Sequence, residues 1–290
     1  MEKHELECRD MEPRDRGMGD TAHNTRTLDQ VLIDDAKMIV ETARRSGIVL
    51  RILGALAVSL HTSELTGLHK KLDRLGQAQQ FTDLDLVAYG RQREGVHKVF
   101  EGLSYSLDKR VAAYFGQVRG IWYHPQKLYH VDVFYDKLPF CHEVSFGTVP
   151  GQGRIELDYP TITLADIVLE KMQIHDIGEK DIKDVVVLLR GHPLGEAELE
   201  TVNVSRLCQA LARDWGFYHD FQINMEKVLQ FAEVYTRQGR MTAEDLEDIG
   251  VKVKKILDRA EAEPKTKEWL IRAKAGTTKQ WWISVEEFQR

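Results

Sequence analysis

In the run FTDLDLV, residues 81–87, two acids alternate with apolar residues. That period of two belongs to a half-buried β-strand, on which alternate side chains face the same way. Asp83 and Asp85 therefore project from one face, two residues apart, while Leu84 and Leu86 point into a core. Carboxylates held side by side repel each other unless a cation lies between them. The pair fits a hard divalent ion such as Mg²⁺, which prefers oxygen ligands. Such a strand needs neighbours, a covered face and a second face left open to a ligand.

Two further features fall in line with it. Upstream, IVLRILGALAV reads as a short strand running through Gly54 into a helix. A glycine at a strand-to-helix turn lets backbone N–H groups approach phosphates, and a helix start favours negative charge. Downstream, HVDVF places Asp132 between two valines on a second strand, Tyr129 to Tyr135. Three carboxylates on two adjacent strands can hold one or two Mg²⁺ ions, which suits phosphoryl or nucleotidyl transfer.

Around these motifs the chain divides into three parts: a polar, charged leader over 1–26, an α+β core over 27–160 and a mainly helical part over 161–290. The periodicity predicts a helix from Leu28 that ends at Gly47, a helical or looping excursion over 62–80, and a helix near residues 93–103. CHEVSFGTV and IELDYPTIT read as two more strands around a turn at Pro150–Gly153. After Pro160, TLADIVLEKMQIHDIGEKDIKDVVVLLRG reads as two helices. The tail TTKQWWISVEEFQR reads either as one more strand or as a docking arm.

Composition narrows the class. A formal charge of -6 argues against a protein that coats nucleic acid, though it leaves room for a local basic groove. Cys8, Cys141 and Cys208 are too few and too scattered for a disulfide framework or a zinc cluster, which makes a reducing cytoplasm the expected compartment. No apolar run approaches the roughly 20 residues of a membrane span, and the chain contains neither a GxxxxGK[ST] loop nor a dinucleotide fingerprint.

The order Gly54-Ala55, then Asp83-Leu84-Asp85, then Asp132 resembles the nucleotidyltransferase superfamily of DNA polymerase beta-like proteins. Its signature is a Gly-Gly or Gly-Ser turn, an Asp-x-Asp strand and a third acid on a later strand. Here Ala55 stands where that family often has Ser or Gly. The segment LADIVLEKMQIHDIGEKDIKDVVVLL is similar to the one that follows the catalytic strands in the abortive-infection (AbiEii-like) toxin branch. Lys171 and the Asp181-Ile182-Lys183-Asp184 motif match that branch's Lys and Asp-x-x-Asp. The resemblance covers roughly residues 48–189. It implies an α+β nucleotidyltransferase fold, a mixed sheet flanked by helices, completed by a helical C-terminal domain. It also implies that Asp83 and Asp85 hold Mg²⁺ with Asp132 as third ligand or as general base toward the acceptor, that Lys171 contacts nucleotide phosphates, and that Asp181 or Asp184 orders the site.

Each residue also has a plainer reading. Asp83 and Asp85 could line a solvated strand edge, Lys171 could pair with Glu170 on a surface, and Asp181 could cap its helix. Asp136 reads as a strand-end residue paired with Lys137. The histidines show no metal-site spacing, and adjacent Cys141 and His142 would face opposite ways on a strand. Trp281-Trp282 could stack on a base but reads more readily as a pair docked on its own core or on a partner chain. The resulting expectation is a Mg²⁺-dependent transferase. It would move a nucleoside monophosphate from an NTP to a hydroxyl on RNA or tRNA, a protein or a small molecule. The alternatives are a non-catalytic binding module of the same fold, or a toxin restrained by an antitoxin-type protein partner.

Overall fold

The computed structural model describes residues 26–76 and 79–284. The leader expected over 1–26 therefore lies, but for Arg26, outside the described residues. Helix α1 (Leu28–Arg45) starts where the Thr27 side chain accepts from the Gln30 N–H and buries Leu32, Ala36, Ile39, Val40 and Ala43 along one stripe. It stops at Gly47, whose φ of +72° turns the chain into strand β1 (Leu50–Ile52). Helix α2 (Gly54–His61) follows at once, then a 3₁₀ turn and the short helix α3 (Thr66–Leu72).

The acidic strand β2 (Leu84–Ala88) leads through helix α4 (Arg93–Gly102), strand β3 (Ser106–Leu107) and helix α5 (Lys109–Phe115) to strands β4 (Arg119–Tyr123) and β5 (His130–Tyr135). These five strands form one mixed sheet in the order β1-β2-β5-β4-β3. The central pair, β2 and β5, runs parallel, and the other pairings are antiparallel. In β2 and β5 the fully buried Leu84, Leu86, Val131 and Val133 alternate with the acids. Phe100 of α4 stacks on Trp122 of β4 at 4.8 Å and helps seal this part of the core.

Strands β6 (Lys137–Pro139) and β7 (Glu143–Ser145) form a separate ribbon, so only three residues of CHEVSFGTV enter a strand. The expected strand IELDYPTIT does not form. Residues Ile155–Leu157 make a 3₁₀ turn, and the chain meets the sheet at a single bridge, Ile52 to Thr161. Pro160 has no N–H to give to a ladder, and its carbonyl accepts from the Ile52 N–H at 3.0 Å instead.

Beyond Thr161 the chain is helical: α6 (Leu164–Met172), α7 (Glu179–Gly191), a short parallel pair β8 (Leu194–Gly195) and β9 (Val202–Asn203), then α8 (Val204–Leu211), α9 (Trp215–Arg237), α10 (Ala243–Ala262) and α11 (Lys267–Ala273). All nine residues of α6 are buried, because α2, α7, α8 and α9 pack around it. The hydrophobic core runs without a break from α1 to α10 and joins the sheet to the helices. The molecule is thus an α+β protein with a mixed sheet. Among the described residues, no helix is long and apolar enough to cross a membrane.

Candidate active site

The site begins at the β1–α2 turn. The Leu53 N–H donates to the Asp85 carbonyl at 3.0 Å, which fixes the turn against β2. Gly54 then adopts a φ of +73°, and a Cβ built on it would stand 2.8 Å from Asp85 Oδ2. Glycine is required there twice over, for the backbone and for the room that the carboxylate occupies. The Gly54 N–H donates to Glu170 Oε2 at 3.0 Å. Ala55 and Leu56, at the uncapped start of α2, line the cleft beside it.

The acids converge from two strands and one helix. Asp85 and Asp132 are register partners in the parallel β2–β5 pair, so both project from the same face, and Asp83 precedes Asp85 by one strand period. Burial raises the Asp85 carboxyl well above the ordinary range, and Asp83, Asp132 and Glu170 raise it further; Lys171 pulls the other way. Burial likewise pushes Glu170 up to about 7, against the pull of Lys171 and the Gly54 N–H. Asp132 differs. Burial acts to raise it, but His130 and Arg119 outweigh that and hold it below the usual value. Arg119 Nε donates to Asp132 Oδ1 at 2.7 Å, and His130 Nε2 lies 3.4 Å from Oδ2.

Cations stand opposite. Lys171 Nζ lies 3.0 Å from Asp181 Oδ1 and 3.0 Å from Asp184 Oδ2. Burial disfavours its charge, yet the two aspartates and Glu170 raise its pKa, so it stays protonated. Arg74 Nε donates to Asp184 Oδ1 at 2.7 Å. Lys180 lines the cleft and forms no ion pair among the described residues. The cleft encloses about 200 Å³, with Phe81, Ile174 and Phe140 on its apolar side.

The structure therefore gathers Ala55, Asp83, Asp85, Lys171 and Asp181 around one cleft, with Gly54 packed against Asp85, Asp132 paired in register with Asp85, and Asp184 on Lys171. Asp136 lies apart, accepting from the Gly90 N–H at 2.9 Å. Glu170, Arg74 and Lys180 join the site although no motif marked them. The one available signal for Glu170 was that LADIVLEKM is too apolar for a surface helix.

The donor set suits Mg²⁺. Asp83 and Asp85 offer hard oxygens, and burial together with the neighbouring acids disfavours the charged Asp85 carboxylate, a cost that a cation would relieve. The other sequence features resolve separately. His142 pairs with buried Asp220 at 2.8 Å, and burial raises the Cys141 thiol, so the two do not form a thiolate–imidazolium pair. The Trp281 Nε1–H donates to Asp220 Oδ1 at 2.8 Å, and Trp282 stacks on His175 at 3.6 Å, so the tail docks on its own chain up to residue 284.

No protein-family model and no curated protein matches this chain. Among solved structures it is similar to an antigenic nucleotidyltransferase-like protein from Paracoccidioides brasiliensis. The two are 14% identical over 76% of this chain and 92% of the other, with a TM-score of 0.37. Superposition at that level is too loose to assign a family.

Proposed function

We propose that the chain is a Mg²⁺-dependent nucleotidyltransferase of the DNA polymerase beta-like fold. The observation that carries the proposal is the close packing of Asp85 against Gly54, with Asp132 as its register partner and a basic wall across the cleft. In the reaction an acceptor hydroxyl oxygen bonds to the α-phosphorus of an NTP. The α–β bridging P–O bond breaks, pyrophosphate leaves, and the hydroxyl proton passes to solvent. Asp83 and Asp85 would hold the metal. When bound, Mg²⁺ offsets triphosphate charge and lowers the pKa of the attacking hydroxyl.

The chain's own groups do the rest. The α2 N–H groups at Ala55 and Leu56 face phosphate oxygens. Lys180 is free to bind the triphosphate, while Lys171 is already engaged by Asp181 and Asp184 and holds the floor of the cleft. Asp132, kept ionised by Arg119 and His130, serves as an electrostatic support for the metal carboxylates rather than as a base.

Incubation of the full chain with Mg²⁺, α-labelled NTPs and pools of RNA, protein and small-molecule hydroxyl acceptors tests the proposal. Label transfer lost in Asp83→Asn and Asp85→Asn supports it, and transfer retained in both overturns it. The grip of Arg119 on Asp132 favours a second reading, a nucleotide-binding module without turnover. That reading predicts Mg²⁺-dependent NTP binding with no transfer to any acceptor. A toxin role predicts growth arrest on expression, relieved by Asp83→Asn or by a bound protein partner.

A further inference from the structure

At the far ends of the two helices whose first turns build the cleft lies a second cluster. α2 ends at His61, and His192 follows α7; both side chains are 5% exposed. Glu200, between β8 and β9, reaches over them and is held at a left-handed φ of +48°. His61 Nδ1 lies 3.2 Å from Glu200 Oε1, and His192 Nδ1 lies 3.5 Å from Oε2. Among the described residues, these three bring their donor atoms within 4.8 Å of one another.

The outer nitrogens are already engaged. His192 Nε2 sits 3.0 Å from the His61 carbonyl, which can only accept, so Nε2 carries the proton. In neutral His192 this leaves Nδ1 with a bare lone pair aimed at a carboxylate oxygen. His61 Nε2 lies 2.6 Å from Thr161 Oγ1 and 3.7 Å from Asp158 Oδ2, a buried oxygen without a hydrogen-bond partner. With the His61 proton on Nε2, donated to Thr161 Oγ1 on the side of that carboxylate, the second Nδ1 lone pair faces Glu200 as well. Lone pairs facing a carboxylate repel unless a cation stands among them. Outer-shell partners of this kind, a backbone carbonyl and a carboxylate, are those that orient metal-ligating histidines.

We propose that His61, His192 and Glu200 bind a first-row transition ion of the Zn²⁺ class, distinct from the all-oxygen site at Asp83 and Asp85. Bonds of about 2.0–2.1 Å in tetrahedral geometry set ligand atoms roughly 3.3 Å apart, and the two inner separations of 3.2 and 3.5 Å bracket that edge. Two imidazoles and one carboxylate select Zn²⁺ or Co²⁺ over Mg²⁺ and leave a fourth position for water. Bound there, the ion ties the ends of α2 and α7 to the β8–β9 loop.

The test uses the full chain, stripped with chelator and titrated calorimetrically with Zn²⁺ in the wild-type and Asp83→Asn/Asp85→Asn backgrounds. One equivalent of uptake in both is expected. Glu200→Gln, at an exposed side chain that leaves the fold intact, should weaken uptake by more than the roughly 10- to 100-fold that the loss of an outer-shell partner costs, and His192→Gln should abolish it. Co²⁺ in place of Zn²⁺ should give a visible absorption band that His192→Gln removes. Either the absence of uptake, which would mean imidazolium–carboxylate pairs instead, or uptake lost only with the aspartates would overturn the proposal. Uptake indifferent to both Glu200→Gln and His192→Gln would overturn it too. None of these results depends on nucleotidyl transfer.

Discussion

Gly54 and Asp85 share a space that admits only one side chain: a Cβ on Gly54 would stand 2.8 Å from Asp85 Oδ2. The turn and the acid therefore belong to one unit. Gly54→Ala adds both a clash and a strained φ of +73°, at a cost of about 1–3 kcal/mol. It should lower the midpoint of urea unfolding and also weaken Mg²⁺-dependent NTP binding. A variant that loses stability but binds NTP as wild type does would separate the turn from the site.

Asp85→Asn should behave in the opposite sense on stability. Burial and three acidic neighbours disfavour the ionised carboxyl, so the neutral amide should melt no lower than wild type without metal. Transfer should fall on the order of a hundred-fold or more. Thermal melts beside the labelled-NTP assay read both effects. A large drop in melting temperature would mean that Asp85 holds the fold rather than a cation.

Glu170 gives a pH signature. Its carboxyl titrates at about 7 in the folded chain, above the ~4.3 of an exposed glutamate. Between those values the folded protein binds more protons than the unfolded chain. Stability from this group is therefore full below the lower value and is lost as pH rises through the window. Glu170→Gln keeps an acceptor for the Gly54 N–H and removes the titration. Its advantage over wild type should grow by about 1.4 kcal/mol per pH unit across that window. Unfolding curves from pH 5 to 8 would run parallel if Glu170 were ordinary.

The two lysines of the cleft should part company. Lys171→Met leaves Asp181 without its cation and strips one of two from Asp184, a loss of about 3–5 kcal/mol for a broken buried pair. Lys180→Ala should leave stability unchanged and weaken NTP binding roughly tenfold, the worth of one charge-assisted contact. Calorimetry with NTP on each variant, next to its unfolding curve, distinguishes them. Equal losses of stability would contradict the assignment.

The strands and helices that carry the site were readable because their periods are local. FTDLDLV alternates, and the apolar stripe of α1 recurs at helical spacing. Residues whose place depends on distant partners were not. Glu170 beside Lys171 reads as a surface pair until α6 is found enclosed on all sides. Arg74 sits in a segment without a pattern and finds Asp184 only through the tertiary fold. IELDYPTIT has the composition of a strand, yet Pro160 denies it a donor and leaves one bridge where a ladder was expected. The histidines of the second cluster lie far apart in the chain, so ligand spacing could not reveal them.

The parallel pairing that sets Asp85 opposite Asp132 has one more consequence. A slip of β5 by a single residue would turn Asp132 into the core and Val131 or Val133 out of it. A slip of two residues would restore the face but move Asp132 out of line with Asp85. Asp85 lies in β2 and Asp83 directly precedes it, so the two keep their shared face, but the charge of Asp132 joins them only with correct strand pairing. Metal affinity at Asp83 and Asp85 would thus serve as a gauge of register, weaker wherever β5 has slipped by one residue than in the native pairing.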